Sequence, residues 1–482
     1  MKGFGFSLAD NTSLRESPDG SFLVSRVPMR ILRLNKPLFR LLRHLQDGGE
    51  LSEFISQSRG FQEGQLLRVL LSLTSRGYLK LDRIAEIEDY PGVSIIIPVR
   101  DQPEDLTECL QSLSNLDYPK DKLEIIVVDD GSRSDISQTA TMPGVSVIRQ
   151  ANSQGPAACR NIGAEEADGD ILAFLDADCM AGENWLKELI PFFRTATVGA
   201  VGGYVDGYYK ESLLDRYEIV SSSLNMGKRL LLEGRTESGF YVPTANMLVS
   251  SKAFVDTDGF KGSMRVGEDV DFCWRMRNLG YTLLYVPFGR VAHKHRNRLG
   301  SMLRRRSEYG TSEAGLYQTH WDRKKKFVIS IYAGLSFLAA TLAILLINAY
   351  PLIAIPLVFG FDMVRRYASL KKFKMSMHIS QTAYSTFRSY LSFFYFSFFH
   401  LVRYYLILIL GLGFLLHSLW LFGGLAILYT SIVDYHVKKP GLNYPAFLFF
   451  YLLEHLAYQV GVFWGCLKLR YFGSYLVSFK RA

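Results

Sequence analysis

Cysteine is scarce in this chain of 482 residues. Five are present, at positions 109, 159, 179, 273 and 466, and no CxxC pair occurs. A disulfide framework or a cysteine-based zinc site needs paired or clustered cysteines, so this odd, scattered set argues against both and favours a reducing compartment. The first residues, MKGFGFSLADNTS, also lack the apolar core of a secretion signal, which predicts that the front of the chain stays in the cytoplasm.

Charged side chains are missing from two long stretches near the C-terminal end. Residues 327–361 and 404–433 contain no Asp, Glu, Lys or Arg, and each is longer than the ~20 residues of a membrane-spanning helix. A third apolar stretch, Phe447 to Leu467, is interrupted by Glu454 and His455. We therefore predict two to four spans or interfacial helices in a membrane-associated region over residues 323–482.

The net charge is +9, a balance that suits nucleic acid, anionic lipid or a phosphorylated substrate. Much of the excess lies beside the apolar stretches, at residues 304–306, 323–326 and 365–374. Lys and Arg in short segments next to apolar helices mark the cytoplasmic side of a membrane. This placement predicts a protein of the inner (cytoplasmic) membrane, multi-pass or tightly associated. Its soluble part is expected to face the cytoplasm, with membrane lipid as a partner and no nucleic acid.

The N-terminal part of the chain is predicted to form a small domain of strands and short helices. The strands are predicted at residues 22–24, 29–34 and 77–81, and the helices at 38–45, 51–57 and 65–76. Asn35 suits the N-cap of the first helix. This order is typical of a winged helix, and the acidic segment 82–90 that follows is predicted to be a linker.

The next part of the chain alternates between apolar strand-like runs and helices. The strands are predicted at residues 93–99, 123–128, 145–148 and 171–175, and the helices at 104–116 and 156–167. Such alternation predicts an α/β fold with a parallel sheet, which binds ligands at the carboxyl ends of its strands. Asp129 and Asp176 fall at two of those ends and are therefore candidate site residues.

Two acidic motifs occupy these strand ends. A carboxylate of Asp129-Asp130-Gly131 can accept hydrogen bonds from a base or a ribose, although Asp-Gly is also a common plain turn. The two carboxylates of Asp176-x-Asp178 can hold a divalent cation that neutralises a departing diphosphate. A solvated acidic turn is the alternative there, and the position after a buried strand favours the cation.

Three further features carry candidate chemistry. Arg160 lies one turn into a helix whose N-terminus suits an anion, so it is a candidate phosphate or ribose contact, or else a surface arginine. Glu268-Asp269 opens a later helix, where an acid can accept a proton from a hydroxyl or simply favour the helix N-terminus. His293 and His295 are candidates for a metal shell or a phosphate contact, and surface histidines in a basic loop are the more ordinary interpretation.

The central region resembles the family 2 glycosyltransferases, whose catalytic domain has the Rossmann-like GT-A fold. The resemblance covers residues 92–298 and is carried, in order, by the segments VSIIIPV, YPKDKLEIIVVDDGS, GPAACRNIGAEEADGDILAFLDAD and GFKGSMRVGEDVDFCWRMRNLGY. It implies an inverting enzyme that uses a UDP-sugar donor and a divalent cation, Mg²⁺ or Mn²⁺.

The resemblance also implies a role for each candidate residue. The general base is implied to be Asp269, with Glu268 beside it. The residues implied to bind the nucleotide sugar are Pro98, Arg100, Asp129, Asp130, Arg160 and Asp176. The residues implied to bind the metal are Asp176, Asp178 and His293.

At two places the sequence departs from the family pattern. Arg100-Asp101 stands where the family usually has Tyr-Asn, which leaves the nucleotide contact there open. RRRSEYG at residues 304–310 is not the QxxRW motif that processive members often carry. Synthesis of long polymers is therefore less supported than a short product.

The N-terminal domain resembles the PqqD-like peptide-recognition domains of ribosomal peptide maturation, best over LNKPLFRLLRHLQDGGELSEF. A PqqD-like unit (1–88), a family 2 domain (89–322) and an apolar tail (323–482) occur together in the glycosyltransferases of mycofactocin biosynthesis. That resemblance implies transfer of glucose from UDP-glucose onto the peptide-derived mycofactocin precursor, building a short oligosaccharide, with the precursor or its leader peptide as a partner.

Two other functions fit the same sequence. One is a membrane glycosyltransferase of lipid-linked or cell-surface polysaccharide synthesis, in which the N-terminal unit is only structural. The other is a peptide-binding scaffold whose transferase domain is inactive. The complete set of acidic residues argues against the scaffold, because an inactive site is free to lose Asp176, Asp178 or Asp269.

Overall fold

The computed structural model describes residues 3–26, 29–57, 63–136, 144–195, 197–234, 239–323, 325–372 and 378–481. The chain divides into two compact units. The first comprises Met1–Ser7 and Leu45–Asn297, and the second comprises Leu8–His44 and Arg298–Ala482. All the candidate site residues belong to the first unit, and the division into three domains stays a prediction.

The N-terminal segment contains the elements expected from its sequence and two more strands. They are β1 (Gly5–Leu8), β2 (Thr12–Ser17), β3 (Gly20–Arg26), β4 (Met29–Leu34), α1 (Lys36–Gln46), α2 (Leu51–Gln57), α3 (Glu63–Ser75) and β5 (Leu79–Arg83). β2, β3 and β4 form an antiparallel sheet, and β5 pairs with β1. The predicted cap is confirmed, because the Leu38 N–H donates to Asn35 Oδ1 at 3.0 Å. β1 and β2 escaped prediction because GFSL and TSLRES are too short and mixed to show a strand period.

The rest of the first unit is a long series of strands and helices. They are β6 (Val93–Val99), α4 (Pro103–Ser114), β7 (Leu123–Asp129), β8 (Val145–Arg149), α5 (Pro156–Glu165), β9 (Ile171–Phe174), β10 (Cys179–Ala181), α6 (Trp185–Leu189), β11 (Val198–Gly202), β12 (Val205–Gly207), α7 (Leu213–Ser221), β13 (Leu231–Glu233), β14 (Met247–Ser250), α8 (Ser251–Asp256), α9 (Glu268–Asn278), β15 (Thr282–Tyr285) and β16 (Val291–His293). The predicted strands and helices between residues 93 and 178 are confirmed, with ends that differ by a few residues.

Eight of these strands form one sheet in the order β13-β15-β11-β14-β9-β6-β7-β8. β9, β6, β7 and β8 are parallel, as predicted. β14 runs antiparallel to both of its neighbours, and β13 runs antiparallel to β15, so the sheet as a whole is mixed. The prediction of a parallel sheet covered residues 93–178, and strand directions beyond residue 178 were not predicted. That prediction rested on the strand–helix alternation before residue 178. The later strands have only three to five residues and lack that regular alternation, so the direction of each is not set by a crossover helix.

The helices α5, α8 and α9 pack on the sheet around an aromatic core. Its rings are those of Phe174, Phe254, Phe260 and Phe272, with neighbouring centroids 4.5–5.7 Å apart. α5 approaches β6 closely at Gly163, where an added Cβ would lie 2.6 Å from Cγ2 of Ile96. Arg160 precedes Gly163 by three residues and shares its helical face. The close approach therefore carries Arg160 toward the sheet.

A second, smaller sheet has the order β10-β16-β12. β16 is antiparallel to β10, with Cys179 opposite His293, and parallel to β12. This pairing brings His293, near the end of the first unit, beside the acidic motif that precedes β10.

The second unit is mainly helical beyond its N-terminal strands. Its later elements are α10 (Leu299–Thr319), β17 (Lys325–Ile329), α11 (Ile331–Leu345), α12 (Ala354–Lys372), α13 (Ile379–Tyr404), α14 (Leu406–Leu412), α15 (Ser418–Lys438), α16 (Tyr444–Leu469) and β18 (Val477–Arg481). Among the described residues, α15 and α16 are long and apolar enough to span a membrane, and a third candidate joins α13 to α14 across a 79° bend. The expected number of membrane helices agrees with this. The uncharged stretch 404–433, however, is broken between α14 and α15, and the weaker stretch lies within α16.

Candidate active site

Asp129 and Asp130 form a turn at the carboxyl end of β7. Asp129 is fully buried, and its Oδ1 accepts a main-chain N–H three residues further on at 2.8 Å. Asp130 accepts the N–H groups of Gln154 and Gly155 at 2.6 and 3.1 Å. Burial alone raises the pKa of Asp130, but the hydrogen bonds from this loop outweigh it and lower the pKa. Both carboxylates therefore shape the loops at this edge, and their direct contact with a nucleoside stays a prediction.

The end of β6 lies beside this turn. Pro98 is the next-to-last residue of β6, and Val99 is paired with Asp129 of β7. Arg100 follows and is exposed; its Nη1 donates to Ser153 Oγ at 2.8 Å, and that hydroxyl donates to Asp130 at 2.7 Å. An exposed guanidinium is thus held at the carboxyl edge, where its charge suits a phosphate.

The candidate metal centre is formed by Asp178, Cys179 and His293. Their ligand atoms all lie within 4.8 Å of one another. His293 Nε2 is 3.5 Å from Asp178 Oδ1, and the guanidinium of Arg296 is 3.7 Å from Asp178 Oδ2. The structure therefore brings together the predicted ligands Asp178 and His293, although they are far apart in the sequence.

The donor set of this centre fits Mg²⁺ or Mn²⁺ better than a thiolate-bound metal. The Cys179 thiol donates to Asp178 Oδ1 at 3.9 Å, and burial, with the charge of Asp178 next, raises the pKa of Cys179 well above its ordinary value. Burial also raises the pKa of Asp178, while the Arg296 guanidinium 3.7 Å away favours its ionised form. One carboxylate and one imidazole could hold such an ion and would leave ligand positions for diphosphate oxygens and water.

Asp176, the other acid of the motif, is held by an arginine. Arg160 Nη2 donates to Asp176 Oδ1 at 2.6 Å, and Arg160 Nη1 donates to Glu268 Oε1 at 2.9 Å. Arg160 is only 3% exposed. The guanidinium of Arg160 thus joins the end of β9 to the start of α9. Arg160 and Asp176 are engaged with each other here, and the contact of Arg160 with the nucleotide and the binding of metal by Asp176 stay predictions.

Asp269 lies in the first turn of α9, as predicted. Gly267 at the N-cap has a φ of 81°, a left-handed conformation that glycine adopts without strain. Burial, and next the charge of Glu268, raises the pKa of Asp269 to about 7. A carboxylate with a pKa near 7 can accept a proton at neutral pH and is still basic enough to do so effectively. The first turn of α9 therefore carries a suitable general base.

Comparison with known proteins agrees with this arrangement. Residues 94–256 match the model of the family described as glycosyl transferase family 2. The chain is 34% identical over 332 residues to the pre-mycofactocin glycosyltransferase of Mycobacterium tuberculosis (strain ATCC 25618 / H37Rv), an alignment that covers 68% of this chain and 66% of that protein. It is 30% identical over 221 residues to glycosyltransferase AglE of Haloferax volcanii, covering 42% of this chain and 70% of that protein. The chain belongs to glycosyltransferase family 2.

This family 2 glycosyltransferase has a lysine in its site region that sequence reasoning missed. Lys294 follows His293, and its Nζ lies 2.8 Å from Asp105 and 2.9 Å from Glu108, both on α4. The Lys294 N–H also donates to the Asp178 carbonyl oxygen at 2.9 Å. These contacts fix the segment that carries His293. The only sequence signal was the basic run HKHR at residues 293–296, and this run does not indicate which acidic residues its lysine contacts.

The second histidine of that run has a different place. His295 is buried, and its Nε2 lies 3.1 Å from Asp215 Oδ1 on α7. Asp215 in turn forms a capping box with Ser212 at the start of α7. His295 is not one of the three grouped ligands found among the described residues. His293 is therefore the histidine that the geometry offers to a metal.

A pH profile tests the electrostatic link between Glu268 and Asp269. With Asp269 as the predicted general base, only its ionised form can accept the proton, so kcat/KM is expected to rise with pH through about 7 and then to level off. A Glu268→Gln variant removes a neighbouring negative charge that raises the pKa of Asp269. The acid limb of the kcat/KM profile of this variant is therefore expected at lower pH than that of the parent chain. Rates measured across a pH series check this, and an unmoved limb would mean that another group sets it.

Proposed function

We propose that this family 2 glycosyltransferase transfers a hexose from a UDP-sugar onto the mycofactocin precursor and builds a short oligosaccharide, with UDP-glucose as the first candidate donor. The likeness to a relative named pre-mycofactocin glycosyltransferase, over 68% of this chain, supports the acceptor. The observation that carries the chemistry is the Arg160 bridge. It ties the start of α9, where Asp269 lies, to the Asp176-x-Asp178 segment, so that base and diphosphate site form one site.

In the proposed reaction the sugar is transferred with inversion. Asp269 takes the proton of the acceptor hydroxyl while that oxygen bonds to the anomeric carbon from the face opposite the diphosphate. The bond from the anomeric carbon to the diphosphate oxygen breaks, and UDP leaves with the bonding electrons. Asp178 and His293 are the residues that would hold Mg²⁺ or Mn²⁺, which supplies positive charge for the departing diphosphate.

The nucleoside is proposed to bind at the carboxyl ends of β6 and β7. Asp129 and Asp130 are both buried and hold the surrounding loops, so we assign them to the floor of the proposed nucleoside site. Arg100, exposed at the same edge, is the side chain placed to reach a phosphate or ribose.

The remaining parts of the chain are proposed to position the acceptor. The sheet β2-β3-β4 has β2 and β4 at its edges, and an edge strand can take up an extended peptide as an additional strand. A PqqD-like role for this segment, in binding the precursor or its leader peptide, rests on that arrangement and on the sequence resemblance. The candidate spans α15 and α16 support anchoring in the inner membrane, with the catalytic unit proposed to face the cytoplasm.

A transfer assay tests the proposed donor and acceptor. The purified full chain is incubated with a panel of UDP-sugars and with either a mycofactocin-type acceptor or a polyprenyl phosphate, with and without Mn²⁺ or Mg²⁺. Metal-dependent transfer of glucose to the mycofactocin-type acceptor is expected. Transfer to the lipid phosphate alone would overturn the proposal in favour of lipid-linked polysaccharide synthesis.

The two histidines of the run 293–296 provide a matched test of the metal site. A His293→Gln variant is expected to need an about 100-fold higher Mn²⁺ concentration for half-maximal activity, because it loses one of two protein ligands. A His295→Gln variant is expected to keep the parental Mn²⁺ requirement and to melt at a lower temperature, because it loses the imidazole hydrogen bond with Asp215. Mn²⁺ titrations of the rate separate the two. An equal effect of both substitutions would contradict the assignment of His293.

A further inference from the structure

We propose that α11, α12 and the turn between them form a re-entrant hairpin that enters one leaflet of a lipid bilayer and returns to the same side. α11 ends at Leu345 and α12 begins at Ala354, with a short 3₁₀ turn between them. Tyr332, near the start of α11, contacts Phe361 and Arg365 of α12, with 5.7 Å between ring centroids and 4.9 Å from the guanidinium carbon to the Tyr332 ring. The start of α11 thus lies beside the later part of α12, and the two helices run antiparallel.

The outward surface of this hairpin is mostly apolar. Its exposed large apolar side chains are Ile331, Leu335, Leu338 and Leu342 on α11, Leu346, Ile347, Tyr350, Leu352 and Ile353 at the tip, and Leu357, Phe361 and Val364 on α12. Asn348 at the tip is also exposed, and its side-chain oxygen accepts the Tyr350 N–H. An exposed apolar surface of this extent marks a contact with protein or membrane. Lipid acyl chains are the occupant we infer, because α11 packs against α15, itself a candidate membrane span.

Main-chain N–H groups at the tip of the hairpin are hydrogen-bonded within the turn. The N–H groups of Leu346, Ile347, Asn348 and Leu352 donate to the carbonyl oxygens of Leu342, Ile344, Ala343 and Ala349. The Tyr350 N–H donates to the Asn348 side chain at 2.9 Å, and Pro351 has no N–H to satisfy. Hydrocarbon offers no hydrogen bonds to a backbone. A turn that satisfies these donors internally is therefore suited to lie inside a leaflet.

Length and charge restrict the hairpin to one side of the bilayer. α11 has 15 residues, which rise ~21 Å. That is less than the ~30 Å hydrocarbon thickness but enough to reach its middle. At the base, Arg365 and Arg366 lie 3.2 and 2.9 Å from the buried Asp362, and the exposed Lys371 follows. The positively charged residues at the open end of the hairpin can contact anionic lipid headgroups while the apolar tip lies among the acyl chains.

Depth-dependent fluorescence quenching tests the hairpin in the full chain. All five native cysteines are buried, so the unsubstituted chain serves as the labelling blank. Ile347→Cys at the tip, Leu342→Cys on α11 and Lys371→Cys at the base are each labelled with a nitrobenzoxadiazole dye. The labelled proteins are reconstituted in vesicles of phosphatidylcholine and phosphatidylglycerol. Quenching is measured with lipids spin-labelled deep in the acyl chain or near the headgroup, and with iodide on either side.

The hairpin predicts a distinct order of depths. The dye at position 347 should be quenched about twofold more by the deep spin label than by the shallow one, and not by iodide from either side. The dye at position 371 should be quenched more by the shallow spin label and should be accessible to iodide. The dye at position 342 should show an intermediate ratio of deep to shallow quenching. Position 342 thus provides a second measurement of depth if the tip variant misfolds. Iodide quenching at position 347 from the side opposite to position 371 would mean a complete crossing. Iodide quenching from the same side, or stronger quenching by the shallow label, would mean a surface segment; either outcome overturns the proposal.

Discussion

An Asp269→Asn variant is expected to turn over about 10³-fold more slowly than the parent chain while binding UDP with nearly the same affinity. The carboxylate lies in the first turn of α9, and its pKa of about 7 lets it accept a proton from the acceptor at neutral pH. Asparagine keeps the size of the side chain but cannot take up that proton. Initial rates at saturating donor and calorimetric titration with UDP measure the two effects separately.

The stability of the same variant serves as its control. Asp269 has a pKa of ~3.9 in an unfolded chain and about 7 in the folded one. Its stabilising contribution is therefore complete below the unfolded pKa and is lost as the pH rises through the folded pKa. Asparagine resembles the protonated form, so the melting temperature at mildly alkaline pH should equal or exceed that of the parent. A lower melting temperature, or loss of UDP binding together with turnover, would show that Asp269 is structural.

The strand ends that carry the site could be predicted from the sequence. β6 and β7 are almost entirely buried, so they appear as continuous apolar runs, and an acidic residue marks the point where β7 emerges. The start of α9 was equally visible, because Gly267 and the acids after it form a local signal. These features depend only on neighbours in the chain, and sequence periodicity reports such neighbours well.

The contacts that give each side chain its task could not be predicted in the same way. Arg160 and Glu268 are 108 residues apart, and Lys294 and Asp105 are 189 residues apart. Nothing in either local pattern distinguishes a buried bridging arginine from one on the surface. The direction of β14 could not be predicted either, because it depends on how the chain re-enters the sheet and not on the four residues of the strand.

The motif Asp176-x-Asp178 shows most clearly what the fold adds. From the sequence the two acids are equivalent, and both were expected to bind the metal. In the structure Asp178 lies 3.5 Å from His293, whereas Asp176 is 2.6 Å from Arg160. The residue between them turns the chain, so the two carboxylates face different partners. We infer that Asp178 is the principal metal ligand and that Asp176 links the metal site to the base.

Replacing Arg160 with Met is expected to destabilise the first unit by ~3–5 kcal/mol, because it leaves Asp176 and Glu268 without their shared cation. For a unit of this size the melting temperature should fall by about 10 °C. An Arg160→Lys variant is the matched control. Lysine keeps the positive charge but cannot donate to both carboxylates through one planar guanidinium. The melting temperature of Arg160→Lys should therefore lie between those of the parent chain and Arg160→Met. Thermal unfolding of the full chain in detergent, followed by tryptophan fluorescence, measures the order of the three.

A double variant separates charge balance from positioning. Arg160→Met combined with Glu268→Gln removes one of the two carboxylates that lose the Arg160 guanidinium, so its melting temperature should exceed that of Arg160→Met alone. Additive losses would instead mean that the two side chains do not stabilise each other. Turnover decides the second question. If the bridge only balances charge, kcat should recover together with the fold. If it holds α9 against the Asp176-x-Asp178 segment, kcat should stay low in a well-folded double variant, because Asp269 then lacks a fixed position relative to the departing diphosphate.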